Sequence, residues 1–141
     1  MTTEIFDLDK EIKILCVTAT TFPNGVMGAF ETVTKKIGSN EGRTYYGISW
    51  IDKNGNITYK AAVNELENGE AEKLGCESFT IRKGAYISEI VTDFMKNIPA
   101  ISETFMKLLN DPCIDKNGYC VEIYFDQKDV RCMVTLDPSK I

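Results

Sequence analysis

The 141-residue chain contains no histidine, which removes together the commonest catalytic base and the commonest zinc ligand. Glycine-rich phosphate loops and nucleophile elbows are missing as well: no G-x-G-x-x-G, P-loop or G-x-S-x-G occurs. The five cysteines, Cys16, Cys76, Cys113, Cys120 and Cys132, are odd in number and form no C-x-x-C pair, so a reduced, cytoplasmic setting fits better than a disulfide scaffold. Basic residues are in deficit, 16 Lys and Arg against 21 Asp and Glu, and the resulting net charge of -5 disfavours a phosphate-binding surface. Cationic or neutral partners are favoured instead. No apolar run is long enough to span a membrane, and Met1 to Glu11 has neither a basic n-region nor an apolar h-region. Asp52-Lys53-Asn54-Gly55 lacks the remaining ligands of a Ca²⁺ loop, and no metal or cofactor is expected.

What is present suffices for one domain, residues 1–141, with a sizeable core. Ile12 to Thr20 reads as a strand, and Asn24 as the cap of a helix from Gly25 to Ile37 carrying Val26, Phe30, Val33 and Ile37 at helical spacing. Arg43 to Ile51 and Ile57 to Glu65 read as strands joined by an Asn-Gly turn. The acidic stretch Glu67 to Glu72 reads as a boundary. Beyond it, Cys76 to Ile81 and Ala85 to Thr92 have strand character, a helix follows Asn97 with a stripe of Ile101, Phe105, Leu108 and Leu109, and Tyr119 to Phe125 and Val130 to Leu136 form a closing hairpin. The order strand, helix, strand, strand thus occurs twice, over about 12–66 and about 73–137. The expected fold is α+β: a pseudo-twofold pair of such units, one antiparallel sheet with both helices on one face, and a central cleft.

The repeat is visible in the residues themselves. Tyr45-Tyr46-Gly47-Ile48-Ser49-Trp50-Ile51-Asp52 is echoed by Tyr119-Cys120-Val121-Glu122-Ile123-Tyr124-Phe125-Asp126, and alignment on the two aspartates sets Glu122 on Ile48. A mid-strand carboxylate among Val121, Ile123 and Tyr124 is costly to desolvate unless something pairs with it. If Phe125 faces Val130, then Val121, Ile123 and Phe125 pack under the helices and Cys120, Glu122 and Tyr124 face the other way, opposite Thr135, Met133 and Arg131. In the first hairpin Tyr46, Ile48 and Trp50 take the corresponding face, beside Ala62, Lys60 and Thr58. That face is too aromatic for open solvent. Glu122, Tyr46, Ile48, Trp50, Tyr124 and Met133 are therefore the candidate ligand-binding residues, suited to a hydrophobic organic cation held by Coulomb attraction and cation–π contact. The alternative for Glu122 is a cross-strand ion pair with Arg131. Tyr59 and Tyr86 read as packing residues, and Cys120 and Cys132 as small buried hydrophobes.

The duplicated layout, the Tyr45-Tyr46-Gly47-Ile48 strand, Ile57-Thr58-Tyr59-Lys60-Ala61-Ala62-Val63 with Glu65, Phe79-Thr80-Ile81-Arg82-Lys83-Gly84-Ala85-Tyr86, and Tyr119-Cys120-Val121-Glu122-Ile123-Tyr124 resemble the GyrI-like small-molecule-binding domain, also called the bacterial transcription-activator effector-binding domain. The resemblance covers roughly Ile12 to Leu136 and implies a central cleft for hydrophobic, often cationic, compounds, with a glutamate at the position of Glu122 and aromatic residues around it. Regulators of the family carry a helix-turn-helix domain ahead of the sensor. There is no room for one before Ile12, so a stand-alone domain without direct transcriptional control is expected. The second-repeat helix also lacks the Trp that many relatives carry, which leaves the wall near Phe105 unassigned. Some stand-alone relatives hydrolyse reactive electrophiles, and in that reading Glu122 is the general base with Tyr46, Trp50 or Tyr124 orienting. A third reading, an acidic protein-interaction or gyrase-inhibitor-like module, rests on Glu65, Glu67, Glu70 and Glu72. A homodimer or a protein partner is compatible with each reading.

The charge balance makes one expectation independent of fold. Duplex DNA should not be retained at moderate ionic strength in a gel-shift titration, and tight, salt-dependent retention would contradict it.

Overall fold

The computed structural model describes residues 3–141, which form an α+β chain of two compact units, residues 11–82 and residues 3–10 with 83–141.

In residues 11–82, β2 (Ile12–Thr18) leads through α1 (Val26–Ile37) to the hairpin β3 (Tyr45–Ile51) and β4 (Ile57–Asn64), then through α2 (Glu70–Leu74) to β5 (Glu77–Ile81). All pairings are antiparallel, in the order β5-β2-β4-β3. In the other unit, β1 (Glu4–Leu8) is followed by β6 (Gly84–Val91), a single 3₁₀ turn at Phe94–Lys96, α3 (Pro99–Leu108), β7 (Cys120–Tyr124) and β8 (Val130–Thr135), in the antiparallel order β1-β6-β8-β7. Strand, helix, strand, strand therefore recurs as β2-α1-β3-β4 and β6-α3-β7-β8, and each copy carries one outer strand.

Those outer strands were the least legible elements. Glu4–Leu8 is a strand whose Phe6 and Leu8 are half-buried while Ile5 points outward, so its alternation of acids and apolar residues is a period-two signal. β5, placed by sequence at the head of the second repeat, hydrogen-bonds to β2.

α1 buries Ala29 and Val33 against Leu15, Tyr59, Ala61 and Val63, with Val26, Phe30 and Ile37 along the same stripe. Its start differs from the expected Asn24 cap. Gly25 occupies the N-cap without a side-chain hydrogen bond, because the backbone approaches so closely there that a Cβ at residue 25 would stand 2.6 Å from the Thr21 carbonyl oxygen. α3 buries Thr104 and Leu108 against β6 and β8, over Ile87, Val91, Val130, Cys132, Val134 and Leu136. Among the described residues no helix is long and apolar enough to cross a membrane.

The acidic boundary is a folded element rather than a solvated linker. α2 forms there, Ala71 is buried, and Glu70 accepts two hydrogen bonds from the Arg43 guanidinium at 2.8 and 2.5 Å and one from the Leu66 N–H at 2.9 Å. Arg43 also donates to the Asn64 carbonyl at 2.8 Å, so one bidentate pair ties α2 to the β3–β4 hairpin. The Arg43 side chain is buried and that of Glu70 is 12% exposed, and the Arg43 hydrogen bonds hold the Glu70 carboxyl at about 2, below its usual 4.5. Glu70 is thus withdrawn from any acidic interaction surface.

A folded-state value below the unfolded one means stability that is complete above about pH 5 and is lost as pH falls from the usual carboxylate range towards 2. Glu70→Gln leaves the guanidinium buried without its counter-charge and is expected to destabilise by about 3–5 kcal/mol at pH 7. Urea unfolding of the wild type and the variant checks this: the gap should shrink in acid, and a gap independent of pH from 7 to 3 would contradict it.

Candidate functional site

β7 carries Cys120, Glu122 and Tyr124 on one side and Val121 and Ile123 on the other. The register sets Cys120 opposite Val134, Glu122 opposite Cys132 and Ile123 opposite Arg131. Cys132 and Val134 belong to the cluster beneath α3, with Cys120 and Tyr124 packed against it. Glu122 therefore lies on the helix-facing side, and the expected register, which put Val121, Ile123 and Phe125 there, is overturned. A slip of one residue exchanges the two faces.

The slip has a physical origin in the turns. In the first hairpin Ile51 pairs with Ile57, leaving five residues between, and Asp52 accepts the Asn54 and Asn56 N–H groups at 2.9 and 3.0 Å. In the second, carrying the register one step further sets Tyr124 opposite Val130, again with five residues between. Asp126 accepts the Lys128 and Asp129 N–H groups, both at 2.7 Å. Asp52 is the first residue of its connection and Asp126 the second of its own. The aspartates are not equivalent; Ser49, not Ile48, holds the place of Glu122, and Phe125 is turned out to solvent.

Glu122 is 7% exposed and accepts the Tyr124 hydroxyl hydrogen at 2.5 Å. The Tyr124 ring meets Phe94 nearly edge to face, 5.3 Å between centroids at 67°. The Arg131 guanidinium lies on the opposite face, where it donates to Glu4 Oε1 at 2.9 Å and Ser88 Oγ at 2.8 Å and covers the Phe6 ring at 4.1 Å. An Arg131–Glu122 pair across one face is thereby replaced by an Arg131–Glu4 pair on the other.

A second buried acid stands in the same row. Cys132 is opposite Glu122 on β7 and opposite Glu89 on β6, so two carboxylates flank one thiol across three strands. Glu89, 3% exposed, accepts Lys107 Nζ at 2.8 Å and Thr3 Oγ1 at 2.7 Å. The Lys107 hydrogen bond keeps its carboxyl below the usual range. The sequence reading passed over Glu89, although it sits between Ile87 and Val91 on a core-facing side, the same signal that singled out Glu122. Burial, then the charge of Glu122, push the Cys132 thiol strongly up. Burial likewise raises Cys16, to about 11. All five cysteines are free thiols, and among the described residues no three His, Cys, Asp or Glu side chains gather to hold a metal.

The remaining candidates lie elsewhere. Met133 is fully buried opposite Val121, on the face of its sheet turned away from Glu122. Tyr46, Ile48 and Trp50 sit opposite Ala62, Lys60 and Thr58, the register read from sequence, on the side of their unit away from α1. Tyr46 and Ile48 are buried, and Trp50 stacks on Phe79 at 6.1 Å with Lys60 Nζ 5.9 Å from its ring. Lys60 in turn donates to Thr18 Oγ1 at 2.7 Å and pairs with Glu77, so the cation beside Trp50 is the chain's own. Of the six candidates, Glu122 and Tyr124 touch.

No family model matches the chain, and no curated protein does. Solved structures do. An integron cassette protein from the mobile metagenome of Vibrio cholerae superposes with a TM-score of 0.72 at 11% identity, over 96% of this chain and 95% of that one. What they share is a fold. SAV2435, solved bound to tetraphenylphosphonium, gives 0.66 at 10% identity over 99% and 96%, and a hydrolase from Listeria innocua gives 0.56 at 11% over 96% and 92%.

The burial of Cys16 and Cys132 is directly measurable. In the native protein at neutral pH neither should react with a charged thiol reagent, and both should label in urea, as read by mass spectrometry. Rapid native labelling of Cys132 would contradict the packing beneath α3.

Proposed function

We propose that this chain is a GyrI-like effector-binding domain that binds a hydrophobic organic cation, with Glu122 as the anion that holds it. The observation that carries the proposal is a buried carboxylate on the helix-facing side of β7, among Cys120, Tyr124 and the cluster beneath α3. A carboxylate in such surroundings attracts a cation far more strongly than one in water, because little solvent screens the pair. The Tyr124 hydroxyl occupies one acceptor position and fixes the carboxylate's orientation. Apolar and aromatic neighbours supply the rest of the affinity. That a structural neighbour was solved with tetraphenylphosphonium supports this ligand class.

Glu122→Gln preserves shape and removes charge. Titration calorimetry with tetraphenylphosphonium should show affinity lowered roughly 10- to 100-fold, the range of a hydrogen-bonded charge worth about 1.5–3 kcal/mol. Neutral triphenylphosphine oxide should bind both proteins about equally. Equal tetraphenylphosphonium affinity in the two proteins would sink the proposal.

A second reading, hydrolysis of a reactive electrophile, is favoured by the short contact between Tyr124 and Glu122, a phenol positioned beside a would-be general base, and by the hydrolase among the structural neighbours. Mass spectrometry of the compound after incubation separates the two: a binding protein returns it intact.

A further inference from the structure

Phe94 is bonded into the fold through backbone rather than side chain. Its N–H donates to the Lys128 carbonyl at 2.9 Å, and the preceding Asp93 N–H donates to Asp129 Oδ1 at 3.1 Å. Asp93 takes a left-handed conformation, φ 49°, the only non-glycine residue with positive φ among those described. The single turn Phe94–Lys96 is thus fastened to the β7–β8 connection by its main chain, while the Phe94 ring reaches Tyr124, whose hydroxyl is on Glu122. Rotation about χ1 and χ2 can withdraw the ring without breaking either backbone anchor. Beside it Met95 and Ile98 are exposed, 70% and 51%, which leaves apolar surface next to the aromatic pair.

From this geometry we infer that the Phe94 ring stands in the seat of a ligand's aryl group, and that the Glu122 site selects cations whose charged centre carries aryl rather than alkyl substituents. The inference rests on the reading of Glu122 as the ligand's anion. A cation beside the carboxylate is one phenol ring away from the seat now filled by Phe94. An aryl substituent bonded to its charged centre replaces Phe94 edge to face on Tyr124. An alkyl chain makes no such contact, so an alkyl cation pairs with Glu122 and leaves Phe94 where it is.

The test compares tetraphenylphosphonium with tetrabutylphosphonium, equal in charge and central atom, by calorimetry on the wild type, Phe94→Ala, Phe94→Leu and Glu122→Gln. Removing the resident ring should raise tetraphenylphosphonium affinity roughly two- to tenfold, with tetrabutylphosphonium changed by less than about twofold. Phe94→Leu keeps an apolar side chain under α3 and should move the ratio in the same direction should Phe94→Ala fail to fold. A fall or no change in tetraphenylphosphonium affinity, or an equal rise for both cations, overturns the aryl seat while leaving Glu122 as the anion. Cation affinities unmoved by Glu122→Gln overturn the anion reading and the seat with it.

Discussion

The Asp126 carboxylate accepts hydrogen bonds from the Lys128 and Asp129 N–H groups, and this local closure sets the register of the last hairpin. From that register it follows that Cys132 stands opposite Glu122, that Tyr124 lies under α3 within reach of Phe94, and that Arg131 goes to the far face to meet Glu4. Side chains alternate along a strand, so a turn one residue shorter would send Glu122 to the face that Met133 and Arg131 share, away from the helix. The chemistry of the candidate site is in this sense decided by an exposed aspartate outside it.

Two acids in one row meet different fates. Glu89 is held by Lys107 from α3 and by Thr3, so its charge is spent in fastening helix and chain start to β6. Glu122 receives the Tyr124 phenol, which fixes the orientation of its carboxylate. Burial is nearly the same for both, and burial alone does not mark a site.

Much of the architecture was legible because helical stripes and strand alternation are set by the core. α1 packs the stripe read for it and α3 does so with Ile101, Phe105 and Leu108, whereas Leu109 lies past the helix end and is exposed; the first hairpin has the register expected of Tyr46, Ile48 and Trp50. The second hairpin misled because the same turn chemistry is performed by an aspartate one position later. α2 escaped notice since five residues give too little periodicity, and its anchor, Arg43, is 27 positions from Glu70. Long-range partners of that kind, like Lys107 for Glu89, leave no local mark. Glu122 and its neighbour Tyr124 stood out as candidates because a carboxylate inside an apolar run is conspicuous on its own.

β1 pairs with β6, and its Thr3 neighbour and Glu89 are 86 positions apart. Residues 11–82 draw β2, β3, β4 and β5 from one continuous stretch, so these strands can pair with one another as synthesis proceeds. The other unit cannot: its first strand must wait, its edge unpaired, until β6 and then β8 emerge. Closing so long a loop costs entropy before any contact offsets it, which makes that unit the slower to assemble. Of the two units, the one that carries Glu122 is therefore completed later, so the carboxylate is sealed beneath α3 only once β8 has left the ribosome.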